Sequence, residues 1–201
     1  YFQDFHLQNG VKLELWKYVQ SLHTNGKSTI TCSDGSSYEA DLIVLGVGIK
    51  VNIELAEKAK LKINNGIVVD QQCSTSDKSI WAIGDCTQHF NPYYQKYIRL
   101  ESVQNATEQA KVASANICGR EVIYDSIPWF WSDQYDVKLQ MVGLADGYDE
   151  SIMRIENDGK KRSNWYFKKN ELLAVDAVNN PKAYVLGTKF IKNKVQVNKS
   201  K

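Results

Sequence analysis

The run Thr-Ser-Asp-Lys-Ser-Ile-Trp-Ala-Ile-Gly-Asp over residues 75–85 constrains this chain more than any other stretch. Ile80, Trp81, Ala82 and Ile83 form a short continuous apolar segment, which predicts a strand buried on both faces of a parallel sheet. Gly84 and Asp85 then fall at its carboxyl end, the place where ligands collect in open α/β sheets. Gly84 permits a ligand to approach the backbone closely, and Asp85 offers an acceptor-only carboxylate to a sugar or polyol hydroxyl. Taken by themselves, the same two residues also suit a plain turn.

With 201 residues, 43% of them hydrophobic and 24% charged, the chain can build one domain or two small ones with real cores. The net charge of +2 and the scatter of the basic residues argue against a nucleic-acid partner. Apolar runs are too short for a membrane span, and the first residues lack the basic start and apolar run of a signal peptide. The expectation is a soluble, cytoplasmic protein. Cys32, Cys73, Cys86 and Cys118 form no Cys-x-x-Cys pair and have no histidine at ligand spacing, so they are expected as buried or half-buried thiols, with no metal site. The chain starts at Tyr1 and carries no Gly-x-Gly-x-x-Gly loop, so both ends are expected to be cut.

Residues 1–10 read as the end of a helix closed by Gly10. Val11, Leu13 and Leu15 alternate with polar residues, and Asn25-Gly26 and Asp34-Gly35 are turn signals, which predicts a three-stranded antiparallel meander over residues 11–40. Residues 41–48, Asp-Leu-Ile-Val-Leu-Gly-Val-Gly, predict a buried parallel strand ending in glycines. Gly46 and Gly48 suit either a tight turn or a loop that approaches a nucleotide. A helix over 53–60, a turn at Asn64-Asn65-Gly66 and a strand over 67–70 lead into the opening run. After it, His89, Phe90, Tyr93, Tyr94 and Tyr97 read as a loop, with His89 a surface residue of no assigned role. Residues 99–106 open a long helix, with a stripe of Val103, Ala106, Ala110, Ala113 and Ile117 and with Gly119 as terminator. Its N-terminus favours developing negative charge.

From about Ile127 the composition changes. Pro128-Trp129-Phe130-Trp131 opens a series of predicted strands over 137–141, 151–156, 163–169 and 172–178, with turns at Asn157-Asp158-Gly159 and Asn170-Glu171. The aromatic run reads first as core, and Lys160-Lys161-Arg162 as a solvated hairpin tip. Asn180-Pro181 is a cap and first position for a last helix with Leu186 and Phe190 on one face, and residues 192–201 read as frayed.

Together these pieces resemble the bacterial NADH-dependent ferredoxin reductases that serve cytochrome P450 and aromatic-ring dioxygenase systems. The matching motifs are residues 40–44, Gly46-Val47-Gly48, residues 65–70, 75–85, Arg99-Leu100-Glu101-Ser102-Val103-Gln104-Asn105-Ala106, 128–135 and 173–179. Val51 departs from the family's usual Pro in the Pro-Asn-x-Glu-Leu pattern at 51–55. The resemblance implies an α/β fold: a fragment of a flavoprotein reductase with two Rossmann-like dinucleotide-binding domains, followed by an α+β C-terminal domain with an antiparallel sheet. It divides the chain into 1–52 from the NAD(H)-binding domain, 53–126 from the FAD-binding domain and 127–201 as the reductase C-terminal domain. It implies FAD and NADH as cofactors and a [2Fe–2S] ferredoxin or rubredoxin as acceptor. It puts Gly84 and Asp85 at the ribityl chain, Glu101 and Val103 at the flavin, Trp131 with Trp129 near the flavin and the docking face, and Gly46 and Gly48 at the nicotinamide nucleotide. Disulfide reductases need a C-terminal His-Glu pair, and no histidine here lies beyond His89. Rival expectations are an apoptosis-inducing-factor-like oxidoreductase, a nitrite reductase subunit, or a non-catalytic interaction module.

Overall fold

Gly26 and Gly35, at φ +84° and +82°, reverse the chain where a side chain would be strained, and so set the first sheet. In this computed structural model, which describes residues 1–156 and 159–199, the chain divides into the units Tyr1–Ile49 and Lys50–Lys201. The first unit holds helix α1 (Phe2–Gln8), ended as expected before Gly10, and strands β1 (Val19–Asn25), β2 (Lys27–Cys32) and β3 (Ser37–Ala40). These pair antiparallel in the order β1-β2-β3, the predicted meander. Its first strand begins later than the alternation suggested. β2 ends at Cys32, where Asp34 bonds the Ser36 N–H and the chain reverses, so residues 11–17 have no strand opposite them.

Residues 41–48 correct a second expectation: they are irregular, and Leu42, Val44 and Val47 are exposed. A parallel strand exists only through its neighbours' hydrogen bonds, and none of the described strands pairs with this segment. Its apolar character marks a preference for burial without supplying a partner.

The second unit opens with α2 (Glu54–Lys58), shorter than expected, and a four-stranded sheet of order β4-β5-β6-β7: Ile63–Asn64, Gly66–Val69, Thr87–Asn91 and Lys96–Ile98. Only β5 and β6 run parallel. The apolar run 80–83 is no strand. Trp81 makes a lone bridge to Ser74, and Ile83 is exposed. The parallel strand instead follows Asp85, and it buries Thr87, Gln88, His89 and Asn91. Apolar patterning misses such a strand because its inward side chains are polar, and Thr87 and His89 meet Gln109 on the long helix that follows. The expected aromatic loop is therefore a hairpin, with the Asn91 Oδ1 accepting from the Tyr93 and Tyr94 N–H groups.

Helix α3 (Val103–Ile117) is capped by the Ser102 hydroxyl, which accepts from the Asn105 N–H, and it stops before Gly119 at φ +76°. The predicted stripe is rotated: Val103 and Ile117 are exposed, while Gln104, Asn105, Gln109, Val112, Ala113 and Ala115 face inward.

Strands β8 (Trp129–Gln134), β9 (Val137–Gly143), β10 (Glu150–Glu156), β11 (Lys161–Lys168) and β12 (Glu171–Val178) form an antiparallel sheet of order β10-β11-β12-β9-β8. Helix α4 (Pro181–Lys192) covers one face over Val142, Trp165, Phe167 and Val175, with Asn180 capping through the Ala183 N–H. Leu186 and Phe190 pack on this core as expected. Of the expected turn at 157–159 and the frayed end at 192–201, residues 157–158 and 200–201 lie outside the described residues. Among the described residues no helix is long and apolar enough to cross a membrane, and no cluster of metal ligands occurs.

Candidate functional site

Gly84 opens a 3-10 turn, Gly84–Cys86, at φ +80°, and a Cβ there would come within 3.6 Å of Ala106 on α3. Its N–H donates to the Gln109 Oε1 at 2.7 Å, and the same oxygen accepts from the Thr87 hydroxyl at 3.0 Å and the Asn105 amide at 3.4 Å. The single Thr87 hydroxyl proton is shared between that oxygen and the Gly84 carbonyl, 2.8 Å away. One fully buried side chain of α3 thus pins the turn that presents Asp85. Asp85 itself is exposed, and its carboxylate has no hydrogen-bond partner among the described residues.

Arg99 braces the other side. Its guanidinium donates to the Asp85 carbonyl at 3.2 Å and pairs with Glu101 at 2.8 Å. Because Ser102 satisfies the Asn105 N–H, the N–H groups of Val103 and Gln104 remain the open donors of the helix start. An acceptor-only carboxylate, a glycine turn and a positive helix end beside it suit a polyol chain joined to a ring that takes up electrons. On that chemistry the residues present fit the ribityl and ring portion of FAD.

The structure therefore brings Gly84, Asp85, Glu101 and Val103 together around the start of α3. Trp131 is on β8, 40% exposed, its ring 5.4 Å from that of Trp129. Gly46 and Gly48 belong to the first unit, where a Cβ at either would meet nothing within 4 Å, although Gly48 has φ +91°. The cysteines offer no redox pair: all four are free, and burial together with Asp70 pushes the Cys73 thiol up to about 12. Cys118 departs from expectation in being exposed.

Sequence reasoning missed Gln109, Thr87, Asn105, Arg99 and His89. Asn105 and Gln109 stand four apart, so they share a helix face, a signal hidden by attention to apolar spacing. His89 is buried, contrary to the surface reading. Its Nδ1 meets the Gln109 amide nitrogen at 3.4 Å, and its ring lies edge-on to Tyr124, whose hydroxyl donates to the Asn105 Oδ1 at 2.9 Å.

Burial lowers the His89 pKa from its ordinary value to about 4. The unfolded chain then binds the extra proton first, so this residue removes stability as pH falls from about 6.5 toward about 4. The full loss is roughly 3 kcal/mol. Urea unfolding at pH 7 and pH 4.5 should show a smaller acid loss for His89→Gln than for the wild type. Equal losses would mean that His89 is not kept neutral.

Two family models match the chain: "Pyridine nucleotide-disulphide oxidoreductase" over residues 1–110 and "Reductase C-terminal" over residues 129–201. Putidaredoxin reductase of Pseudomonas putida is 36% identical over 98% of this chain and 48% of its own length. Rhodocoxin reductase of Rhodococcus erythropolis is 39% identical over 95% of this chain and 45% of its own. The chain spans about half the length of the curated relatives it matches. Among solved structures, the putidaredoxin reductase in its covalent complex with putidaredoxin superposes with a TM-score of 0.93 at 36% identity, over 99% of this chain and 49% of that one. The ferredoxin reductase for the CYP199A2 system from Rhodopseudomonas palustris gives 0.92 at 37% identity, over 98% and 49%.

Proposed function

Since the chain belongs to the pyridine nucleotide-disulphide oxidoreductase family, in its ferredoxin reductase branch, we propose that the protein carries electrons from NADH through FAD to a [2Fe–2S] ferredoxin or rubredoxin feeding a P450 or ring-hydroxylating dioxygenase. FAD and NAD(P)H are the cofactors of that family. The observation that carries the reading is the unpaired Asp85 carboxylate held beside the open N-terminus of α3. A bound flavin supplies the chemistry, taking a hydride and releasing single electrons. The residues of this chain bind and orient it: Asp85 accepts from a ribityl hydroxyl, Glu101 holds Arg99 against the turn, and the helix start favours added negative charge.

In the same reading Gly46 and Gly48 approach the nicotinamide nucleotide, and Trp131 with Trp129 stands at the acceptor's docking face. Residues 1–52, 53–126 and 127–201 are the NAD(H)-binding, FAD-binding and C-terminal parts, and the protein works in the cytoplasm.

The test is NADH-driven reduction of a purified [2Fe–2S] ferredoxin and of a rubredoxin in the presence of FAD. Residues 1–201 by themselves, with no Gly-x-Gly-x-x-Gly loop for the pyrophosphate, are expected to be inactive, so the assay uses the protein at the full length of its relatives, and failure of that protein to bind FAD would overturn the reading. Asp85→Ala should weaken FAD binding at least about tenfold, through loss of a charge-assisted hydrogen bond. Unchanged affinity would remove Asp85 from the site. Val103→Asp sets a carboxylate at the helix start, so the midpoint potential of bound flavin should fall. A potential equal to that of the wild type, with flavin retained, would make Val103 a surface residue only.

A further inference from the structure

The C-terminal sheet and α4 line a half-open cavity of about 310 Å³ that no step of the proposed electron transfer uses. Its floor is Ile152, Trp165 and Phe167 on β10 and β11. Leu186 and Phe190 of α4 form one wall, and residues 195–199 line another side. That segment is tied down at both ends. The Val195 N–H donates to the Phe190 carbonyl at 2.9 Å, while the Lys199 ammonium pairs with Glu150, donates to the Asn170 Oδ1 at 2.7 Å and lies 4.7 Å from the centre of the Phe167 ring.

The polar groups of the cavity are unequal. The Trp165 indole N–H is already spent on the Ser163 hydroxyl at 2.9 Å, and Lys199 is committed to Glu150. Arg154, on β10 one alternation beyond Ile152, points to the same side, lines the cavity and has no ion pair or hydrogen bond among the described residues. An unpaired guanidinium at the edge of an aliphatic and aromatic chamber selects an anion with an apolar body. Guanidinium matches carboxylate in a two-pronged pair, and the ring-lined floor suits a flat body. The volume stands at the lower end of the roughly 300–1,000 Å³ usual for small-molecule sites.

We propose that this cavity is a binding site for a small hydrophobic carboxylate, with the acid group on Arg154 and the apolar body against Ile152, Trp165, Phe167 and Leu186. The site does not rest on the electron-transfer reading and stands or falls separately from it.

Calorimetric titration of the chain with 2-naphthoate tests the proposal, with 2-naphthylmethanol as the uncharged counterpart. Saturable one-to-one binding of the acid is expected, about tenfold tighter than that of the alcohol. Arg154→Gln should erase that preference and leave the alcohol's affinity as it was, while Arg154→Lys restores part of it. Leu186→Trp fills the chamber and should abolish binding of both. Should that variant fail to fold, Ile152→Trp fills it from the strand side, with near-ultraviolet circular dichroism reporting the fold. Absence of saturable heat, equal affinities for acid and alcohol, or binding that survives a folded chamber-filling variant would each overturn the proposal.

Discussion

Replacing Gln109 by leucine should destabilise the second unit by roughly 3 kcal/mol, the upper end of the about 1–3 kcal/mol for one buried donor left without an acceptor, since two further donors are weakened as well. The Gln109 Oε1 is shared by the Gly84 N–H, the Thr87 hydroxyl and the Asn105 amide, all in the interior. Leucine has nearly the same volume and offers none of them a partner. Thr87 retains the Gly84 carbonyl, and Asn105 retains the Leu100 carbonyl at 3.2 Å, so the Gly84 N–H bears the largest loss. Urea unfolding reports the stability. The consequence for function is separable: the Gly84 turn is expected to loosen, so flavin affinity should fall in Gln109→Glu too, where the acceptor oxygen is kept but a buried charge is added. A leucine variant as stable as the wild type would show that the network is incidental to the turn.

Gly143→Ala is expected to be comparably severe. Gly143 has φ +82°, and a Cβ would sit 2.1 Å from the Leu173 carbonyl oxygen and 2.9 Å from the Tyr94 hydroxyl. Both neighbours are fixed. The Leu173 carbonyl accepts from Tyr94 at 3.0 Å, and Tyr94 in turn accepts from the Leu144 N–H at 2.8 Å, which ties the β6–β7 hairpin to the end of β9. Left-handed strain of about 1–3 kcal/mol adds to overpacking of similar size, for a total of roughly 4 kcal/mol. For a chain of this size that is a drop of about 10 °C in the midpoint of thermal unfolding. Scanning calorimetry decides it. An alanine variant melting within a degree or two of the wild type would mean that Tyr94 swings away at little cost.

These two positions show why the site was only half legible from the residues. Gly84-Asp85 and the start of α3 stand out because their requirements are local: a positive φ, an acceptor side chain, a helix beginning. Gln109 binds Gly84 across 25 positions of sequence, and nothing near either residue announces the other. The apolar run at 80–83 misled for the same reason. It marked a segment seeking burial, whereas the paired strand, β6, buries Thr87, Gln88, His89 and Asn91. For Thr87 and His89 the cost is lowered by a partner on α3, with the Thr87 hydroxyl at 3.0 Å from the Gln109 Oε1 and His89 meeting the Gln109 amide at 3.4 Å.

Sequence alone determined the turns at Gly26 and Gly35, the caps at Asn180 and Gly119, the C-terminal strands β9 to β12 with their period of two, and the family. Each rests on backbone sterics or on alternation within a few residues, which the chain carries wherever it folds. Only the tertiary structure decided which face of α3 is buried, that the parallel strand follows Asp85, that residues 41–48 pair with none of the described strands, and that a chamber opens beside Arg154. Those outcomes depend on whether a polar or apolar group finds its partner across the fold, because an unpartnered buried polar group costs more than a misplaced apolar one gains.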